Sequence, residues 1–195
     1  MRLPIVQVGE AVLRQRARPL APEEIHSKEI QKLIAHMRET VRKAPGVGLA
    51  APQIGLALQL AVIEDRKEYH KELSAEQLAL RERRPVGFHV LINPTVTPLE
   101  DKTVEFFEGC LSLPGFFALV PRARRVRVEC LDERGKPRRI EASGWYARIL
   151  QHEIDHLYGH LYIDRMYGRS FTSVENFGRF WKGKPADEVR SALGY

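Results

Sequence analysis

The sequence predicts an α+β fold, in which antiparallel sheets wrap around one central helix and a second, N-terminal helix packs outside them. Three observations carry this prediction: an apolar stripe at helical spacing before residue 45, short β-prone runs through the middle, and a capped helical segment after residue 142. With 195 residues, of which 44% are hydrophobic, the chain suffices for one core and one surface cleft. We therefore expect a single domain over residues 1–195, with residues 165–195 as a C-terminal extension. This extension is expected to be polar and irregular, either a wrapped arm or partly disordered.

The predicted outer helix runs from His26 to Lys43. Its apolar residues recur at steps of three and four, which places them on one face of a helix; they are Ile30, Leu33, Ile34, Met37 and Val41. The next segment, Pro45 to Gly55, is rich in glycine and contains Pro52. We therefore predict a loop there, with close approach of another group to its backbone.

Runs rich in β-branched and aromatic residues predict the strands Leu60–Glu64, Phe88–Asn93, Val104–Phe107 and Leu119–Leu131. Turns are predicted at Pro114-Gly115 and over Asp132–Pro137. Between the first two strands, Ser74 and Gln77 have the spacing of a capping box, which predicts an exposed insertion with a short helix.

The net charge of +6 and the pI near 9.5 indicate attraction to polyanions. The basic residues form two clusters: Arg122, Arg124, Arg125 and Arg127, then Arg134, Lys136, Arg138 and Arg139. No aromatic residues interleave with them, and Arg125 and Arg127 alternate with Val126 and Val128, as in a strand with one solvated face. We expect a solvated surface with weak attraction to the ribosome, and not specific recognition of nucleic acid.

Composition also bears on the compartment. No apolar run approaches the roughly 20 residues of a membrane-spanning helix, and the first residues do not form a basic segment followed by an apolar one. We therefore expect a cytoplasmic protein without a membrane partner, in which Cys110 and Cys130 are reduced. A mitochondrial or plastid protein whose leader has been removed would have the same sequence pattern.

The predicted central helix begins with Ser143 as its N-cap, runs to about Tyr158 and contains QHEIDH. Gly159 is expected to end it in a left-handed conformation. His152 and His156 are four residues apart, so their imidazoles leave the same face one turn apart and can bind one metal ion. Glu153 lies about 100° round the helix from His152, in the position of a general base. This is therefore the expected metal-binding helix.

The alternative is a surface helix that carries two histidines and a glutamate by chance. Trp145 and Ile149 lie on the same side as the histidines and make that side apolar, which argues for buried imidazoles that need a partner.

Two imidazoles require at least a third protein ligand, and a catalytic metal keeps one more position open. His160 is a candidate only by proximity. Cys110, in EGCLSLPG, is the stronger candidate, because a thiolate binds soft or borderline divalent metals. The alternative for a lone reduced cysteine is a small buried hydrophobic residue.

Three segments resemble, in order and spacing, the motifs of peptide deformylases: GVGLAAPQIG at Gly46–Gly55, EGCLSLPG at Glu108–Gly115 and QHEIDHLYG at Gln151–Gly159. The resemblance spans about residues 6–164. It implies that a divalent metal is held by Cys110, His152 and His156, with Fe²⁺ in the cell and Zn²⁺, Ni²⁺ or Co²⁺ able to occupy the same site. The implied substrate is the N-formyl group on the initiator methionine of a nascent polypeptide.

The resemblance also implies roles for other residues. Glu153 would accept and return the proton, while the Gln53 side-chain amide and the Leu111 backbone N–H would stabilise negative charge on the formyl oxygen. Gly46 and Gly48 would let an extended substrate pair with the loop, although a simple turn explains these glycines equally well.

Helix phase suggests the wall of a methionine pocket, with Val47, Trp145 and Ile149 as candidates and the stem of Arg148 at its edge. Glu108 and Arg122 are expected either to steady the cysteine loop or to form a surface ion pair.

The charged stretch Lys67–Arg84 resembles the longer loop of organellar deformylases, so it leaves the compartment open. Two other functions stay open: a metallopeptidase that cleaves internal peptide bonds, and a non-catalytic basic module that docks on ribosomal RNA. The presence of both Glu153 and Gln53 favours an enzyme. The sequence does not fix the native metal or the oligomeric state.

Overall fold

The protein is described here by a computed structural model that covers residues 3–71 and 73–195; the predicted domain 1–195 also includes Met1, Arg2 and Glu72, which lie outside the described residues. The helices are α1 Pro22–Ile25, α2 Lys28–Lys43, α3 Ala75–Leu80, α4 Gly144–Leu157, α5 Val174–Asn176 and α6 Ala186–Leu193. The strands are β1 Gly48–Ala50, β2 Leu60–Asp65, β3 Val86–Pro98, β4 Thr103–Cys110, β5 Leu113–Ala123, β6 Arg125–Leu131, β7 Pro137–Ser143 and β8 Thr172–Ser173.

Two antiparallel sheets surround α4. The larger has the strand order β1-β2-β3-β6-β7 and the smaller the order β4-β5-β8. Helix α4 contacts β1, β2 and β3 of the larger sheet and β5 of the smaller one. The structure therefore confirms the predicted α+β class, with antiparallel sheets around the central helix.

Helix α2 packs on the outer face of the larger sheet. The Ser27 side chain caps it by accepting a hydrogen bond from the backbone N–H of Ile30 at 3.2 Å. Side chains of β2 alternate between two cores: Ala61 and Ile63 face α4, whereas Leu60 and Val62 face α2. The outer helix is confirmed, and it begins at Lys28, two residues later than predicted.

The segment Pro45–Gly55 was predicted as a loop, and this is wrong for its centre. Gly48–Ala50 forms an edge strand paired with β2, and Ala51–Ile54 forms a 3₁₀ turn. Pro52 does not disrupt the ladder because β1 ends before it.

Two further predictions in the middle of the chain are wrong. Pro114-Gly115 lies inside β5, since the chain reverses between the paired residues Cys110 and Leu113. The single strand predicted over Leu119–Leu131 is two strands in different sheets, β5 and β6, with Arg124 between them. Strand β7 was not predicted at all.

The C-terminal extension was expected to be polar and irregular, either a wrapped arm or partly disordered. It is a wrapped arm: β8 pairs with β5, and the Phe177 ring centroid lies 4.9 Å from those of Phe107 and Phe117. Its helix α6, which the sequence reading missed, buries Val189. In the described part of the chain, no helix combines the length and apolar character needed to cross a membrane.

Candidate metal centre and active site

The start of α4 is fixed by backbone contacts. Ser143 occupies the predicted N-cap position, but its side chain makes no capping hydrogen bond. Instead, the N–H of Gly144 donates to the Arg124 carbonyl at 2.9 Å and the N–H of Trp145 donates to the Arg81 carbonyl at 2.8 Å. At the other end, Gly159 has φ of +78°, the left-handed conformation predicted for it.

Three of the predicted ligands meet between α4 and the end of β4. One ligand atom each from Cys110, His152 and His156 lies within 4.8 Å of the others, and Cys110 Sγ is 3.3 Å from His156 Nε2. Because one thiol and two imidazoles converge in this way, the residues fit a soft or borderline divalent metal. His160 is outside this group: its half-exposed ring lies 4.0 Å from Asp164.

Mutual electrostatics favour the metal-binding form of the thiol. Burial alone would raise the pKa of Cys110, but His156 and His152 beside it hold that pKa well below its usual range. Burial alone would lower the pKa of His152, but Cys110 and Glu108 raise it well above its usual range. Cys110 is therefore poised as a thiolate, the form that binds metals, and metal binding would release the imidazole proton.

Glu108 is the buried anchor of the centre. Its carboxylate lies 2.9 Å from His152 Nδ1 and accepts two hydrogen bonds from Arg122, each of 2.9 Å. A carboxylate on Nδ1 leaves Nε2 as the ligand atom and fixes the ring orientation. The Glu108–Arg122 pair is therefore buried, which excludes the alternative of a surface ion pair.

Arg148 also donates to Glu108, at 2.6 Å, and to the Val120 carbonyl at 2.9 Å. Its guanidinium is thus held inside the protein, and the expectation that its stem lines the edge of a pocket stays a prediction. No local sequence pattern indicates this contact, because Glu108 and Arg148 are distant along the chain.

The charge network continues to the C-terminal arm. Arg122 also donates to Asp155 of α4, and Arg165 makes two hydrogen bonds of 2.7 Å to the same carboxylate. Sequence reasoning did not single out Asp155 or Arg165. Together these contacts hold α4, β5 and the start of the arm in one arrangement.

Glu153 is buried, and its Oε2 has no hydrogen-bond partner among the described residues. Burial raises the pKa of Glu153 to about 7. A Cβ at Gly48 would lie 2.7 Å from Glu153 Cγ, closer than atoms can approach, so only glycine leaves room for this side chain. The predicted close approach to the glycine-rich segment is therefore an approach by Glu153.

The structure also brings Gln53 and Leu111 to the centre. Gln53 is buried; its Oε1 accepts from the Ala50 N–H at 2.9 Å, and its Nε2 lies 3.4 Å from Cys110 Sγ. Its amide N–H₂ therefore faces the cysteine. Leu111 directly follows Cys110, and a Cβ at Gly46 would lie 3.0 Å from Leu111 Cδ1.

The residues expected to wall a pocket share one apolar cluster. Ile149 is buried in it, and Val47 and Trp145 pack against it half-buried. Phe106 adds a ring whose centroid lies 6.2 Å from that of Trp145. The sequence pattern that could have identified Phe106 is its spacing of two residues from Glu108, which puts both side chains on one face of β4.

Known proteins resemble this chain over most of its length. The peptide deformylase 1A, chloroplastic, of Solanum lycopersicum is 49% identical over 172 residues, covering 88% of this chain and 62% of the relative, so the chain spans less than two thirds of that relative's length. Peptide deformylase 3 of Streptomyces avermitilis is 43% identical over 193 residues, covering 99% of this chain and 84% of the relative.

Among solved structures, the Met-Ala-Ser-bound class I type b peptide deformylase of Acinetobacter baumannii superposes with a TM-score of 0.75 at 29% identity, covering 85% of this chain and 99% of that one. The family model described as "Polypeptide deformylase" matches residues 2–171. The chain therefore belongs to the polypeptide deformylase family.

Proposed function

We propose that the protein is a metal-dependent hydrolase that removes the N-formyl group from the initiator methionine of newly made polypeptides. The observation that carries this proposal is the convergence of Cys110, His152 and His156 beside the buried carboxylate of Glu153, whose Oε2 has no hydrogen-bond partner among the described residues. Such a set supplies three ligands and a general base within one site.

Cys110, His152 and His156 would hold one divalent ion, which we take to be Fe²⁺ in the cell, with Zn²⁺, Ni²⁺ or Co²⁺ as substitutes in the same ligand set. When bound, such an ion supplies Lewis acidity that makes water a nucleophile at neutral pH and polarises a carbonyl. Glu108 would keep His152 in the tautomer and orientation that ligation needs.

The chain's own groups would then handle the proton and the charge. Glu153 accepts the proton from the attacking water and returns it to the departing amine, so the formamide C–N bond breaks and formate leaves. Negative charge on the formyl oxygen is stabilised by the Gln53 amide and the Leu111 N–H, a type of donor whose loss costs about 3–4 kcal/mol of barrier.

The substrate backbone would pair with β1. This strand is at one edge of the larger sheet, so its outer hydrogen-bonding groups can accept an extended peptide as an added strand. Gly46 and Gly48 would lie beside that peptide, and Val47, Trp145 and Ile149 would contact the methionine side chain. The A. baumannii structure was solved with Met-Ala-Ser, the product expected from such a substrate.

We further propose that residues 165–195 are an extension of the same domain, since Arg165 binds Asp155 and Phe177 packs on Phe107 and Phe117. We propose a cytoplasmic enzyme, with mitochondria or plastids as the alternative because the tomato relative is named chloroplastic. Any ribosome association would be weak, because Arg127 and Arg139 both pair with Glu141.

The test is anaerobic purification with metal analysis, followed by a formate-release assay on formyl-Met-Ala-Ser and acetyl-Met-Ala-Ser. We expect about one divalent ion per chain, formate from the first peptide and no cleavage of internal bonds in either. Cleavage of internal bonds would identify a metallopeptidase. Metal-loaded protein that releases no formate yet binds ribosomal RNA tightly at physiological salt would overturn the proposal.

A further inference from the structure

The insertion between β2 and β3 reaches the start of α4. The guanidinium carbon of Arg81 lies 5.1 Å from the ring centroid of Trp145 and 5.6 Å from that of Phe106. Arg83 lies 5.2 Å from the same tryptophan ring. Because the Trp145 N–H also donates to the Arg81 carbonyl, backbone and side chain of Arg81 are both fixed against Trp145.

One buried carboxylate holds both ends of the insertion. Asp65, the last residue of β2, accepts two hydrogen bonds from Arg83, of 2.8 and 2.9 Å. From the other end, His70 Nε2 lies 3.1 Å from Oδ1 of the same carboxylate. The segment that carries Arg81 is therefore anchored and does not hang freely in solvent.

Arg81 lacks the partner that other inward-facing arginines have. Among the residues that the structure describes, its guanidinium has no hydrogen bond and no carboxylate, and burial together with the nearby Arg83 lowers its pKa. Aromatic faces alone hold it in place. Its positive charge is therefore not paired with a carboxylate of the described residues.

Arg81 also lies in line with the metal centre. Cys110, Glu108 and Phe106 of β4 contact His156, His152 and Trp145 in the same order along α4. Trp145 precedes His152 by seven residues, about two helical turns or roughly 10 Å. Arg81, which contacts Trp145 and Phe106, thus lies at the end of this row of contacts that is farthest from the metal ligands.

We propose that Arg81 closes the far end of the methionine pocket and determines its specificity. This inference rests on the proposed function and extends it. The side chain limits the length of the substrate residue that fits, and its unpaired charge repels a cationic side chain of similar length. A long, unbranched and uncharged side chain such as that of methionine meets both conditions.

The experiment compares the wild-type protein with R81A, which removes both length and charge, and R81M, which keeps length and removes charge. R84A is the matched control, because Arg84 belongs to the same insertion and is exposed. For each protein, kcat and KM for formate release are measured with formyl-Met-Ala-Ser, formyl-Phe-Ala-Ser and formyl-Lys-Ala-Ser. Calorimetry measures the binding of Met-Ala-Ser and Lys-Ala-Ser, and thermal unfolding reports whether each variant is folded.

In R81A we expect kcat/KM for the Phe and Lys peptides to rise relative to that for the Met peptide by about tenfold or more, the size of effect typical of a changed pocket wall. In R81M only the Lys ratio should rise, and R84A should match the wild type. Changes in KM with little change in kcat would indicate a role in binding and not in the chemical step.

Unchanged substrate ratios in folded R81A and R81M would overturn the inference while leaving the proposed function intact. If no protein releases formate, the function fails, and the relative affinities for Met-Ala-Ser and Lys-Ala-Ser still decide the inference. Stronger binding of Lys-Ala-Ser by R81M than by the wild type would support it, and equal binding would overturn it.

Discussion

Helix α4 has two buried sides of opposite character. On the side toward the larger sheet, Leu150, Ile154 and Leu157 pack in an apolar core. On the side toward the smaller sheet, Arg148, His152 and Asp155 make hydrogen bonds to Glu108 and Arg122. Apolar contacts add up with buried area and tolerate small shifts, whereas buried charges are stable only as a complete set with defined geometry. The charged side therefore positions ligands, and the apolar side supplies stability.

The largest expected effect is at Glu153, whose side chain lies against Gly48 of the larger sheet. We expect Glu153→Gln to lower kcat by about 10²–10⁴-fold, because the amide cannot accept the proton. Metal content should stay at the wild-type value, since Glu153 is not among the three converging ligands. The measurement is formate release from formyl-Met-Ala-Ser by protein whose metal content has been determined.

The pH profile of the wild type gives the matching control. Glu153 must be deprotonated to act as a base, so activity falls as the pH drops through its pKa. Burial raises that pKa to about 7, and a bound cation would lower it again, so the acid limb should lie at or below pH 7. The residual activity of Glu153→Gln should not fall along this acid limb of the pH profile. If Glu153→Gln kept the wild-type turnover, another residue would have to be the base.

A substitution of Glu108 tests whether the charged side of α4 needs its complete set of hydrogen-bond partners. Glu108→Ala leaves the buried guanidinium groups of Arg122 and Arg148 without their shared carboxylate. We expect the free energy of unfolding to fall by about 3–5 kcal/mol, and metal affinity to fall by about 10–100-fold because His152 loses its orienting acceptor. Urea unfolding and competition with a chelator measure the two quantities. A change in stability without a change in metal affinity would contradict the positioning role.

Leu150 tests the apolar side. It is fully buried against the larger sheet, so Leu150→Ala should lower the free energy of unfolding by about 2–5 kcal/mol, through lost transfer energy and a cavity. Metal affinity and kcat of the folded fraction should stay close to the wild type. If this variant lost metal as readily as Glu108→Ala, the two sides of α4 would not be separable.

The two sides also differ in how far the sequence predicts them. The apolar stripe of α2 and the helix that carries QHEIDH follow from periodicity and motif spacing, and both are observed. The hydrogen-bond partners on the charged side cannot be predicted from the sequence in this way. Arg122 donates to Asp155, and Arg165 donates to the same carboxylate, but no local sequence pattern relates these residues to Arg122. Arg81 stacks on Trp145 for the same kind of reason, through a contact distant in sequence.

Two of the elements that were not predicted do have a recognisable local sequence pattern. In β7, Ile140 and Ala142 alternate with charged residues, which is the pattern of a half-buried strand. In α6, Asp187 and Glu188 stand in the first turn after Pro185, as is usual at a helix start. The turn misplaced at Pro114-Gly115 had no such signal, because a glycine with positive φ also occurs inside a strand.

The smallest expected effect separates burial from charge. Glu141 resembles Glu108 in pairing with two arginines, Arg127 at 2.9 Å and Arg139 at 3.1 Å, but it lies on the exposed face of β7. Water solvates all three groups when the pair is broken, so Glu141→Ala should leave the urea midpoint within the error of the wild-type value. The same substitution at Glu108 strands two guanidinium groups in the interior. A Glu141→Ala variant as unstable as Glu108→Ala would mean that pairing alone, and not burial, sets the cost.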